Sequence, residues 1–354
     1  MKFDRCVQSI IKYRYHVIGL MSVFFVVALF LIYSNNAMLD DNDDLPSDND
    51  DPIIELPQPI KRSMISGAPY EEELYELFSV LIENSASARP QSGIGQADIV
   101  YEISVESYSI TRFLAIFHSQ VPNKIGPVRS VRMPFANYAK EWMIPFAHYG
   151  GAKRPEADAY SVVREAGFPT RFDGVSGLNN KYFFRDSARR APHNAYFMGE
   201  DALEIIQPQM LKQAFLFDES SNIIGEQVTS LILKYGNSQE VRYQYHAPTQ
   251  RYLRYMGESP FLDAIDNQQV TVKNIILQHA KHTTVGSVGY VMVEDVGSGV
   301  AEYFIEGIYH KGYWEKSDDE DVTRFFLDDG EPLKLAPGNT WIQLVSHRVF
   351  VSYN

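Results

Sequence analysis

From Val17 to Tyr33 the chain runs for seventeen residues without a charge, dominated by Val, Phe, Leu and Ile. A bilayer-crossing helix needs about 17 to 25 such residues, so the run predicts a transmembrane anchor over 17–34. Lys2, Arg5, Lys12 and Arg14 precede it and a cluster of acids follows it. Positive charge stays on the cytoplasmic flank, which places residues 1–16 inside as a basic tail and everything beyond Ser34 outside. A cleaved signal peptide is the competing reading, because short apolar runs also form signal cores, but Asn35-Asn36-Ala37 makes a poor cleavage site. Cys6, the single cysteine, precedes the run and is expected as a free cytoplasmic thiol rather than a lipid attachment point. One cysteine also excludes internal disulfides, a CxxC redox pair and thiolate-rich zinc sites.

Residues 35–60 read as an acidic tether. Between Asp40 and Glu55 there are eight acids and no base, and residues 38–60 hold four prolines. Such a segment cannot bury enough apolar surface to offset chain entropy, and its like charges extend it. The whole chain carries a net charge of −13, which argues against broad contact with nucleic acid.

The remainder is long enough for two compact units and predicts an α+β protein. Residues 61–207 mix strands and helices. Phe78–Ile82, Asp98–Val105 and Ile110–Phe117 alternate or are β-rich, the last two close enough for a hairpin. Pro134–Trp142 is expected as a helix, Met143–Tyr149 as an apolar run closed by Gly150-Gly151, and a second helix is expected to start at Pro155 and leave at Gly167. Residues 208–354 form a β-rich unit of short strands separated by Gly, Pro, Asn and Asp, with Asp329-Gly330 predicting a hairpin between TRFFL and PLKL.

The strings ENSASARPQSGIGQADIVYEISVE, ITRFLAIFHS, IGPVRSVR, HYGG and PHN, with the later GYWEKSDDEDVTRFFLDDGEPLKLAPGNTWIQLV, resemble the YerB-like bacterial envelope lipoproteins, the family of domain of unknown function 3048. The resemblance covers about residues 65–350 and implies an extracytoplasmic two-domain protein of unsettled activity. Two departures stand out. Family members are typically anchored through a lipobox cysteine, where this chain offers an apolar span, and Ser107-Tyr108 occupies a turn where the family commonly has glycines.

Polar residues are dense between Arg89 and Asn194. Arg112 interrupts an apolar strand, and Arg129 and Arg132 precede the helix at Pro134. Arginine binds carboxylate and phosphate through a planar fork, so these three, with Arg89 and Asn194, are ligand-binding candidates. The opposing reading is a buried ion-pair network with Asp98, Glu102 or Glu106. His148, beside a glycine pair, and His193 are acid–base candidates with Glu106 as acidic partner, and convergence of the two with Glu106 or Asp173 would make a divalent metal site. Spacing supports no metal site: HExxH is absent, and His279 and His282 are expected to splay. Ser92 sits in RPQSG, which is not GxSxG. Tyr243, Tyr245, Tyr252 and Tyr255 suit either cross-strand packing or a sugar-stacking platform. Trp314 and Trp341 are expected in the core, and Asp318–Asp321 in a solvated loop.

The preferred expectation is a membrane-anchored envelope protein that binds an anionic cell-wall polymer or an envelope partner through the arginines, with no cofactor and no metal. An envelope hydrolase or transferase using His148, His193 and Glu106 is the alternative, and a scaffold role for the β-rich unit is a third.

Overall fold

The computed structural model describes residues 60–354 apart from 109, 213–214, 219–224 and 237–238. The expected anchor, Cys6 and almost all of the tether lie outside the described residues. No helix among the described residues is long and apolar enough to cross a membrane.

Strands dominate and helices are few. The long sheet has eleven strands, ordered Arg324–Leu327, Ile308–Lys316, Gly297–Ile305, Asn274–His279, Thr340–Val345, Ile99–Val105, Ile110–Phe117, Phe78–Glu83, Phe146–His148 and Arg171–Asp173, with Glu226–Gln227 pairing to Ile308–Lys316. Thr340–Val345 runs parallel to Ile99–Val105, in register from Ile99–Thr340 to Glu102–Gln343. The expected change near residue 207 is therefore a division of the chain but not of the sheet.

The strands Phe78–Glu83, Ile99–Val105 and Ile110–Phe117 are buried along almost their whole length, because both faces of the sheet are covered. On one face Leu81, Tyr101, Ile103, Leu114 and Ile116 meet Phe135, Tyr138, Ala139 and Trp142 of the helix Met133–Trp142. That helix presents positions i, i+3, i+4 and i+7 to the sheet and ends where Met143 turns left-handed at φ 48°. On the other face Val80, Ile82, Val100, Phe113 and Ala115 meet Leu231, Leu233, Val241 and Tyr243. These belong to a six-stranded sheet whose main strands are Arg251–Met256, Gln239–His246, Ser230–Tyr235 and Val349–Tyr353.

Several local expectations change in detail. The second helix begins at Ala159 rather than Pro155, because the Asp158 side chain caps it by accepting from the Ser161 N–H at 3.0 Å. Of the Met143–Tyr149 run only Phe146–His148 is a strand. Gly330 does turn the chain at φ +89°, and a short hairpin forms there, with Phe326 bridging Pro332, the Leu327 N–H donating to the Glu331 carbonyl and the Leu333 N–H to the Phe325 carbonyl. Lys334–Leu335 pairs instead with Leu216–Phe217.

Candidate functional site

Phe78–Glu83, Ile99–Val105, Phe146–His148 and Arg171–Asp173 all run the same way, so their carboxyl ends share one edge of the sheet. Such edges are where open α/β sheets place ligands. Glu83 closes the first strand opposite Arg112, which also faces Ile103. The segment after Ile125 crosses this edge and delivers Arg129 and Arg132, held there by bridges from Val128 to Ile82 and from Val131 to Gly151.

Glu83 Oε2 accepts from Arg129 Nε at 2.7 Å and Arg112 Nε at 3.3 Å. Glu106 Oε1 accepts from Arg132 Nε at 2.7 Å and lies 3.6 Å from Arg112 Nη2. Arg112 Nη1 donates to the Ser130 carbonyl at 2.8 Å, and Arg132 Nη1 donates to the Ser130 and Val131 carbonyls. Burial pushes the Glu83 carboxyl up, but Arg112 and Arg129 outweigh it and hold the group below the usual carboxylate range.

The three arginines thus converge, yet they differ in what they can still do. The Arg112 side chain is only 2% exposed and engaged on all sides. Arg132 is engaged through all three nitrogens. Arg129 is 24% exposed and meets Glu83 through Nε, so its terminal fork is not consumed by that bond. His193 stands close by. Burial lowers its pKa, helped by Arg129, Arg189 and Arg112 and opposed by Glu83. Asn194 accepts from Arg185 Nη1 at 2.6 Å, and Arg185 lies over the Tyr149 ring, fixing the chain beyond His193.

His148 is not part of this group. Its ring is fully buried between Phe146 and Tyr160, with Nδ1 2.9 Å from the Gly150 carbonyl. Burial lowers its pKa to about 4, which keeps it neutral. Asp173, its cross-strand neighbour, accepts from Tyr160 Oη at 2.7 Å and from the Gly150 and Val175 N–H groups. A general acid or base must reach its substrate, and this imidazole is sealed.

Arg89 also lies elsewhere. It donates to Asn84 Oδ1 at 3.1 Å and to the Asn84 carbonyl at 2.7 Å, at the margin of a second, fully buried polar cluster. There Glu102 pairs with Arg254 and accepts from Thr111 and Asn84, while Gln343 links Tyr235 to Tyr243. The carboxylates expected to neutralise the arginines are thus partly different ones. Glu102 serves Arg254, and Asp98 caps the His118 and Ser119 N–H groups at 2.8 and 2.9 Å. Glu83 was missed, although an acid ending the apolar string FSVLIE was a readable signal.

Tyr243 and Tyr252 are wholly buried, so cross-strand packing accounts for them, with Tyr245 opposite Tyr252 at 5.2 Å between ring centroids. Trp314 and Trp341 are core residues. Ser92 is buried and bridges to Gly126. Asp318–Glu320 are exposed in a turn, with Asp318 accepting from the Glu320 and Asp321 N–H groups. His279 reaches Glu302 at 2.7 Å while His282 is buried.

The N-terminal domain model described as "Protein of unknown function (DUF3048)" matches residues 66–212, and the corresponding C-terminal domain matches residues 231–342. The chain belongs to the DUF3048 family. "Putative lipoprotein YerB" of Bacillus subtilis (strain 168) is 28% identical over 297 residues, covering 80% of this chain and 86% of that protein. The crystal structure of the YerB protein from Bacillus subtilis matches with a TM-score of 0.70 at 26% identity, over 82% of this chain and 99% of that one. All the arginine and histidine candidates of this DUF3048 chain fall within the N-terminal match.

Proposed function

We propose that this DUF3048 protein is held at the membrane by its N-terminal apolar run and binds an anionic ligand of the cell envelope, a wall polymer or the carboxylates of a partner, at the edge that carries Arg129. The observation that carries the reading is the state of Arg129. Its Nε is braced by a buried carboxylate, which fixes the guanidinium, while its terminal nitrogens are left to meet an anion in the bidentate geometry that carboxylates and phosphates favour. His193 lies in the electrostatic field of the same groups. The name of the Bacillus subtilis relative, "Putative lipoprotein YerB", supports a place at the envelope membrane.

The test is sedimentation of residues 59–354, which form one compact unit, with purified cell wall. Arg129→Ala is expected to weaken retention about tenfold, the value of one charge-assisted hydrogen bond. Equal retention of wild type and variant would overturn the reading.

A further inference from the structure

At the opposite edge of the long sheet, where Ile99–Val105 and Thr340–Val345 begin, a cavity of about 440 Å³ opens between Arg62, Ser66, Gln96, Asp98, Ser119 and Arg251. Two guanidinium groups and one carboxylate are the charged groups of its wall, a formal surplus of one positive charge. Asp98 Oδ2 accepts from the backbone N–H groups of His118 and Ser119.

Arg251 is the informative residue. Its Nε donates to Thr271 Oγ1 at 2.8 Å and its Nη2 donates to Asn339 Oδ1 at 2.7 Å, both neutral partners. No carboxylate pairs with it among the described residues. Burial lowers its pKa with no acid to oppose the effect. Nη1 makes no hydrogen bond to the described residues and stands on the cavity wall, 3.6 Å from where a Cβ on Gly338 would lie. A half-buried guanidinium held at two corners by neutral oxygens turns its third corner to the cavity, where an anion can meet it. On the same wall the hydroxyls of Ser66 and Ser119 lie 3.3 Å apart.

We propose that this cavity is a second ligand site, distinct from the Arg129 edge, that takes a small saccharide carrying one phosphate or carboxylate. Arg251 Nη1 receives the anion, and the two serines receive the hydroxyls. The volume suits a monosaccharide-sized body, and the wall offers both a cation and neutral acceptors, which a bare inorganic ion would not use.

The experiment is equilibrium dialysis of the full chain in detergent against radiolabelled glucose 1-phosphate and, separately, glucuronate, with glucose as the neutral control. Saturable binding of at least one anionic sugar is expected, at least tenfold weaker in Arg251→Gln and weaker in Gln120→Glu, which adds a like charge at an exposed position of the rim. Lys281→Gln, in an exposed ion pair outside both sites, is expected to bind as wild type does. The phosphate and carboxylate arms identify which anion the site prefers. The proposal is overturned if neither sugar binds saturably, if glucose binds equally well, or if binding survives in Gln120→Glu and in a folded Arg251→Gln. Loss in Arg129→Gln alone would also overturn it, by assigning the ligand to the other edge.

Discussion

Arg254 donates from Nη2 to Glu102 Oε2 at 2.8 Å with both side chains fully buried, joining the six-stranded sheet to the long sheet across 152 residues of chain. The guanidinium lies among Phe113, Tyr243, Phe261 and Trp341, with ring centroids 4.5 to 5.6 Å away. Removing one member leaves a buried charge uncompensated, which typically costs about 3–5 kcal/mol. Arg254→Met is therefore expected to lower the denaturation midpoint sharply, and adding Glu102→Gln to recover part of the loss. A single variant within about 1 kcal/mol of wild type would show that the pair is not what registers the two sheets.

The arginines of the carboxyl edge are expected to separate by role. Arg112, at 2% exposure, holds Glu83 and the Ser130 carbonyl, so Arg112→Gln should cost roughly 3 kcal/mol of stability or more. Arg129→Gln should cost only about 1 kcal/mol, because Arg112 still neutralises Glu83 and Arg129 is partly solvated. Urea titration of the two variants checks the order, and the reverse order would place the structural burden on Arg129.

Acid stability should carry the mark of His148. Its pKa in the fold is about 4 against an ordinary 6.5, so the unfolded chain takes up the proton first as pH falls. Its contribution is intact above pH 6.5 and is lost towards pH 4, on the order of 3 kcal/mol. Asp173 adds a lower window. Burial raises its pKa, but the bonds from Tyr160 and the Val175 N–H prevail and hold it at about 2, so its contribution is present above pH 3.8 and lost on the way down to pH 2. His148→Gln should flatten the stability profile between pH 6.5 and 4 and leave the steeper fall below it. An unchanged slope in that range would contradict the burial argument.

The anchor is tested by fractionation. The full chain is expected to stay with membranes through an alkaline carbonate wash, and a form in which residues 1–34 are replaced by a cleavable signal is expected in the soluble extracytoplasmic fraction. Release of the full chain by carbonate would contradict a spanning segment.

Local sequence determined a good deal. Strands at 78–83, 99–105 and 110–117 and the helix at 133–142 were legible because apolar periodicity, turn residues and a proline near the helix start act over a few positions. The buried tryptophans and the exposed acidic turn followed from the same short-range chemistry. That Arg112, Arg129 and Arg132 would meet was suggested by their density, but Glu83 as their shared partner was not, since register alone sets it opposite Arg112.

Tertiary structure alone decided the rest. His148 had the look of a catalyst beside a glycine pair, and only the packing of Phe146 and Tyr160 made it a sealed, neutral core residue. Glu102 was read as a candidate partner for the nearby arginines, yet the second sheet brings it Arg254 instead. That one long sheet runs through both halves, with Thr340–Val345 beside Ile99–Val105, shows only in the fold. The physical reason is common to all three. A side chain's charge state and reach depend on desolvation and on partners that packing brings to it, from Tyr160 beside His148 to Arg254 beside Glu102, and periodicity within one segment carries no record of either.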